Sequence, residues 1–254
     1  HKPDRRQRQM CIRDSIYEKP KQYSKLSSQM LYGEKFKILE NKGHWLKIKT
    51  NYDKYTGYIR KKKFLIKEFV PTFKVSSKKT EIFTKRNKKL IKTNRFLFFA
   101  SRIKKIEENK NFIEFEKNKW IKKKHLKKIK FFENNSNKIF KLFLNSKYLW
   151  GGKTSDGIDC SSLIQIYFFY NGVFFPRDTK DQIKYCKKKI KKKFTKGDII
   201  FWKGHVGACL NQIKFIHAYG PRKKVLIMPT NETIQHIKKT AKLIVKKISN
   251  IKTY

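Results

Sequence analysis

Apolar and polar residues alternate in short bursts along the first half of the chain, and the rhythm changes near residue 160. Residues 31–40, 43–50 and 55–59 each pattern as half-buried strands, broken by turn residues. Such close spacing predicts a small barrel. Pro71 marks a boundary, after which 80–83, 111–115 and 119–126 repeat the theme loosely. The polar run 133–137 reads as the next linker. Residues 163–170 are apolar nearly all round, as in a buried helix, and Asn171-Gly172 stops it. Then 197–202, 206–210, 215–218 and 225–228 read as strands of one antiparallel sheet. A helix on such a sheet is an α+β arrangement.

Composition changes this picture less than its size suggests. The 254 residues carry a formal net charge of +46, which ordinarily points to nucleic acid or an anionic membrane. Lysine runs at 61–63, 122–124, 187–189 and 191–193 are scattered instead of forming one stripe. The excess falls on Lys, Asn, Ile, Phe and Tyr, the residues of A/T-rich codons, while alanine is scarce. We therefore expect no specific nucleic-acid partner. No apolar run reaches the roughly 18 residues of a membrane span, so no transmembrane segment is expected. Cys11, Cys160, Cys186 and Cys209 show no paired spacing, which argues against a disulfide framework. Arg5, Arg6, Arg8 and Arg13 crowd the start of a lysine-dominated chain, and residues 1–15 read as disordered or extraneous.

The chemistry concentrates at 148–163, Tyr-Leu-Trp-Gly-Gly-Lys-Thr-Ser-Asp-Gly-Ile-Asp-Cys-Ser-Ser-Leu. A glycine-rich approach ending in Asp-Cys-Ser puts Cys160 in the first turn of a helix, with Asp159 as its cap. Orphan N–H groups and the helix dipole favour a thiolate there. His205 and His217 follow on strand-like runs. A cysteine on a helix start with two strand histidines is the layout of a thiol hydrolase: Cys160 the nucleophile, His205 the base, His217 the group that orients it. The bland alternatives are a buried structural cysteine, a core histidine at 217 and an Asp159 that only caps. Zinc would use the same residue types, yet closely spaced ligand pairs are missing, so neither metal nor cofactor is expected. Orientation of His205 by His217 requires both on one sheet face. A two-residue turn at Asn211-Gln212 separates them, whereas a three-residue connection at 210–212 or 211–213 restores the common face.

These residues carry a resemblance. Tyr148-Leu-Trp-Gly-Gly, Asp159-Cys160-Ser161, Pro176-Arg177-Asp178 with Gln182, Gly197-Asp198-Ile-Ile-Phe-Trp202, Gly204-His205-Val206-Gly207 and Phe215-Ile216-His217-Ala218 come in the order of the NlpC/P60 family of papain-like cysteine peptidases. Ser162 departs from the glycine common at that position. Upstream, Tyr32-Gly33-Glu34, Gly43-x-Trp45-x-Lys47-Ile48 and Tyr55-x-Gly57-Tyr58 resemble a bacterial SH3 domain, and the later repeat looks like a divergent second one. The whole resembles γ-D-glutamyl-L-diamino-acid endopeptidases of the dipeptidyl-peptidase VI type.

The resemblance implies an α+β, papain-like catalytic domain at 138–250, preceded by two small SH3-like β-barrels at 16–70 and 71–132. It implies a peptidase acting on peptidoglycan-derived peptides with a free N-terminal L-alanine, cutting between γ-D-glutamate and a diamino acid. Asp159 and Ser161 would hold the amino group, with Tyr55 or Tyr58 closing the pocket and Tyr148 beside it. Arg177 would meet a substrate carboxylate or anchor its own turn. A monomer is expected, cytoplasmic, or periplasmic or secreted if a signal peptide precedes His1. An amidase or acyltransferase with the same site, and a non-catalytic binder of cell-wall peptides, are the alternatives.

Overall fold

Alternation of apolar and polar side chains becomes strand wherever one face finds a core, and most of the first half of this chain does so. The computed structural model describes residues 7–9, 14–61, 69–190 and 193–254, and the chain divides into two units, His1–Phe131 and Phe132–Tyr254. In the first unit, β1 (Gln7–Gln9), β2 (Asp14–Tyr17), β3 (Leu26–Met30), β4 (Lys35–Lys42), β5 (Trp45–Thr50) and β6 (Thr56–Arg60) form one antiparallel sheet, ordered β1-β4-β5-β6-β2-β3. Ile16, Met30, Phe36, Leu46, Ile48 and Ile59 fill its core. Leu46 and Ile48 point inward because Trp45 and Lys47 between them point out, the period of two that the sequence shows.

Within residues 1–15, two short stretches are paired in this sheet. Gln7–Gln9 pair with Lys35–Lys37, and Asp14 and Ser15 begin β2 opposite Met30 and Gln29. The backbone groups along the β4 edge accept an added strand whatever its side chains. The rest of that segment, Cys11 included, lies outside the described residues.

A second β region follows: β7 (Phe73–Val75), β8 (Lys79–Arg86), β9 (Lys89–Phe98), β10 (Arg102–Ile103), β11 (Glu107–Glu108), β12 (Phe112–Glu116), β13 (Lys119–Lys122) and β14 (Leu126–Lys128). They make two sheets, β10-β7-β14 and β11-β12-β13-β8-β9. Its core gathers Val75, Ile82, Leu97, Ile103, Ile113 and Ile121 around Tyr32, a residue of the preceding β region. The Tyr32 ring meets Phe115 edge-on at 5.3 Å, and its carbonyl accepts a 2.9 Å hydrogen bond from the Arg102 amide.

The second unit contains α1 (Ser136–Leu142), the hairpin β15 (Lys153–Thr154) and β16 (Gly157–Ile158), α2 (Cys160–Tyr170), α3 (Thr179–Tyr185), β17 (Asp198–Trp202), β18 (His205–Cys209), β19 (Lys214–Tyr219), β20 (Lys224–Pro229), α4 (Thr230–Ala241) and β21 (Lys247–Asn250). Every residue of α2 is buried, as its apolar run foretells. The sheet runs β20-β19-β18-β17-β21. Its fifth strand, β21, has no clear sequence signature and is a strand because β17 offers it an edge.

The unit reaches beyond the expected 138–250 at both ends. The run 133–137 is no free linker: Glu133 N–H donates to Asn171 Oδ1 at 2.9 Å, Ser136 starts α1, and Asn137 Nδ2 donates to the Leu210 carbonyl at 2.8 Å. At the other end the Tyr185 and Tyr254 rings stack at 5.4 Å. Among the described residues no helix is long and apolar enough to cross a membrane.

Candidate active site

Cys160 opens α2, and Asp159 before it is a true N-cap, with Oδ1 accepting the Ser162 amide at 2.8 Å. The cap does more than cap. Asp159 Oδ2 accepts from the Gly151 amide at 2.9 Å and from Arg177 Nη2 at 2.7 Å, while Arg177 Nη1 donates to Asp159 Oδ1 at 3.1 Å and to Ser161 Oγ at 2.8 Å. The pair is buried, with side-chain exposures of 8% for Asp159 and 2% for Arg177. Such a two-pronged guanidinium–carboxylate contact offsets the cost of burying both charges. Arg177 therefore belongs to the frame of the helix start, a partner that sequence reading did not anticipate for either residue.

β18 supplies the neighbouring wall. Ala208 pairs with Ile216 and Cys209 with Phe215, and the Leu210 amide donates to the Lys214 carbonyl at 2.7 Å. The connection is thus the three residues 211–213. Continued along the strands, this register sets Gly207 opposite His217 and leaves His205 on the same face. The two rings meet, His205 Nε2 to His217 Nδ1 at 2.9 Å. Gly207 makes room for this: a Cβ there would lie 2.3 Å from the Phe215 ring and 2.8 Å from His217 Cβ. At the other end of β18, Gly204, at φ +75°, turns the chain so that His205 faces Trp202 across the hairpin.

Around the sulfur, the Val206 amide and the Thr179 hydroxyl donate toward Cys160, and Sγ lies 4.0 Å from the Gly204 carbonyl. These donors and Arg177 favour the thiolate, but burial, and after it the Asp159 charge, prevail and push the thiol up to about 12. Burial thus opposes the thiolate that the helix start favours. Burial also lowers His205 to about 4; His217 falls to about 3, through burial first and then the charges of His205 and His236. At neutral pH the resting set is a neutral thiol and two neutral imidazoles.

Tyr148 sits near enough to feel Cys160 and Asp159, and burial raises its phenol. Tyr55 and Tyr58 belong to the first unit: Tyr55 packs on the β1–β6 core and donates to the Ser27 carbonyl at 3.4 Å, and Tyr58 pairs with Tyr17 and Lys47. One residue escaped notice. Asp178, at the N-terminus of α3, makes no capping bond, and burial raises its carboxyl against the opposing pull of Arg177. Its position directly after Arg177 was the available signal. Among the described residues no three His, Cys, Asp or Glu side chains converge as a metal site.

A cysteine thus opens a buried helix beside two adjacent strands whose imidazoles meet. The chain carries an NlpC/P60 domain at residues 145–243 and a bacterial dipeptidyl-peptidase SH3 domain at residues 16–64. It is related to peptidoglycan-directed hydrolases of the peptidase kind. Dipeptidyl-peptidase 6 of Lysinibacillus sphaericus is 24% identical over 229 residues, covering 80% of this chain and 84% of that protein. The γ-D-glutamyl-L-lysine dipeptidyl-peptidase of Bacillus subtilis is 36% identical over 100 residues, 36% of this chain and 34% of that protein. In fold, an NlpC/P60 family protein from Bacillus cereus superposes with a TM-score of 0.76 at 18% identity, covering 89% of this chain and 95% of that one.

Proposed function

We propose that the protein is a cysteine peptidase that hydrolyses the γ-D-glutamyl–diamino acid bond of muropeptides bearing a free N-terminal L-alanine. The observation that carries this is the 2.9 Å contact between His205 Nε2 of β18 and His217 Nδ1 of β19, with Cys160 packed beside β18. With Nε2 so engaged, Nδ1 is the His205 nitrogen left for the thiol. Its lowered basicity and the raised thiol hold the resting pair neutral, so proton transfer accompanies attack instead of preceding it. As sulfur attacks the carbonyl carbon, the thiol proton passes to His205; His205 then returns it to the departing amine. Water hydrolyses the thioester and restores the thiol. His217 holds the ring and shares the imidazolium charge.

The ammonium of the substrate is better matched by Asp178 than by Asp159. Both Asp159 oxygens are committed to Arg177 and to backbone amides, whereas the half-buried Asp178 carboxylate makes no capping bond and has Arg177 and Lys180 as its neighbouring cations. Ser161, bonded to Arg177, and Tyr148 line the same approach. Tyr55 or Tyr58 closing the pocket, and a second SH3-type barrel made by β7–β14, are part of the same proposal; the apolar cluster that β7–β14 form around Tyr32 supports the latter. The relatives' names support the bond and the substrate. Incubation with L-Ala-γ-D-Glu-diamino-acid tripeptide and with its N-acetylated form tests the reading. Release of the dipeptide from the free form alone is expected; equal cleavage of both removes the amino-terminal requirement, and cleavage of neither removes the activity.

A further inference from the structure

Gln182 of α3 is a polar side chain with no exposure to solvent, and its amide reaches the start of α2. Three carbonyl oxygens surround its Nε2: Pro176 at 2.9 Å, Ser161 at 3.0 Å and Arg177 at 3.4 Å. An amide nitrogen carries two hydrogens, so the two shorter contacts are the bonds it makes. Chemistry fixes which way the amide points, because turned over it would set its own oxygen against three carbonyl oxygens.

The Ser161 carbonyl is one end of the peptide unit that joins Ser161 to Ser162, and the Ser162 amide is the other end. Asp159 Oδ1 accepts from that amide at 2.8 Å. One rigid plane, a single residue past Cys160, is therefore held at both ends, by Asp159 at its N–H and by Gln182 at its C=O. Arg177 closes the circuit. Its guanidinium bonds the Asp159 carboxylate and Ser161 Oγ, and the Pro176 carbonyl just before it is the second acceptor of Gln182. Gln165 provides the contrast. It is as fully buried, on α2 itself, but its amide donates to the Phe175 carbonyl at 3.0 Å, more than a turn past Cys160. That bond anchors the body of the helix and leaves the first turn alone.

We propose that Gln182 is a positioning residue for the Cys160 thiol: it fixes the peptide plane of the first turn of α2 so that the sulfur stays against β18. The proposal rests on Cys160 being the nucleophile. A sulfur displaced by about 1 Å from its line of attack costs up to about 10²-fold in rate, while groups elsewhere in the site still bind substrate. Loss of Gln182 therefore acts on kcat, and loss of Gln165 acts on stability alone.

Two measurements on the full chain test this, with Gln182→Met and Gln165→Met compared. Met keeps the length of the side chain and removes the donor. In the first, hydrogen exchange at the Ser162 amide is followed by NMR; Gln182→Met is expected to exchange about tenfold faster than the wild type, and Gln165→Met to match the wild type. In the second, turnover of L-Ala-γ-D-Glu-diamino-acid tripeptide is expected to lose at least about tenfold in kcat in Gln182→Met, with KM within about twofold, and to stay within about twofold in Gln165→Met. Melting curves check that each variant is folded. Should Gln182→Met fail to fold, Gln182→Asn, which draws the donor back from both carbonyls, takes its place with the same expectations. Unchanged exchange at Ser162, a rise in KM at constant kcat, or equal effects in the Gln182 and Gln165 variants overturns the proposal. A wild type that turns over no peptide counts against the hydrolytic reading, and the exchange result then decides whether Gln182 orders the turn.

Discussion

Cys160 and Cys209 lie on neighbouring elements of the same unit, are both buried, and have thiols pushed up to about 12 with burial as the first cause. By depth and acidity they are near equals. Cys209 sits at the end of β18 in a cluster with Trp202 and Phe215, with the Thr230 hydroxyl directed at its sulfur. Cys160 sits at a helix start, with an amide and a hydroxyl aimed at its sulfur. Burial dominates the resting protonation of both and each has a hydroxyl partner, so what separates them is place: Cys160 at a helix start beside the histidine strands, Cys209 within the apolar cluster. A perturbed thiol is no signature of a nucleophile by itself.

The sharpest way to break that comparison is to remove each sulfur in turn. Cys160→Ala is expected to lower tripeptide turnover by more than about 10³-fold with the fold intact. Cys209→Ala should leave turnover within a few-fold and cost about 1–2 kcal/mol in denaturant melts as a small cavity opens. Equal activity in the two variants would reverse the assignment. Next in size is the frame under Cys160: Arg177→Met strands Asp159 as a buried, unpaired carboxylate, and an unfolding free energy lower by about 3–5 kcal/mol is expected. His217→Ala should reduce kcat about 10²-fold, with His217→Asn recovering part of it if orientation is the role. Gly207→Ala, whose methyl meets Phe215 and His217, should cost about 1–3 kcal/mol and lower kcat through displacement of His217. KM changing instead of kcat would place the effect on binding.

The smallest effect is a pH dependence of stability. His205 and His217 have folded values lowered to about 4 and about 3, so the folded state holds them neutral while the unfolded chain protonates them near 6.5. Their contribution is present in full above about pH 6.5 and is lost as pH falls toward 4 and then 3. Each is expected to contribute roughly a kcal/mol per pH unit across that window. Chemical denaturation from pH 7 to 4 measures it, and His217→Phe should flatten the slope. An unchanged slope would mean that His217 is protonated when folded.

Much of this was readable along the chain. Asp159-Cys160 with its apolar continuation predicted the cap and the buried helix, because both depend on neighbours within a few residues. Strand alternation placed Leu46, Ile48, Ile113 and Ile121 in cores for the same local reason. Even the three-residue connection between the histidine strands followed from the period of two, once both rings were required on one face.

Contacts between distant residues were not readable. The bond from Arg177 to Asp159, the Tyr32 ring in the core of the second β region, strand status for Lys247–Asn250, and the burial that raises the Asp178 carboxyl all depend on where separate segments meet. Thiol acidity belongs with them. The Asp-Cys-Ser sequence determined a helix start that favours an anion, but the packing around it supplies the burial that pushes the thiol up. Local sequence sets conformational preference and periodicity; the dielectric and the partners of a buried group come from whatever the rest of the fold brings against it.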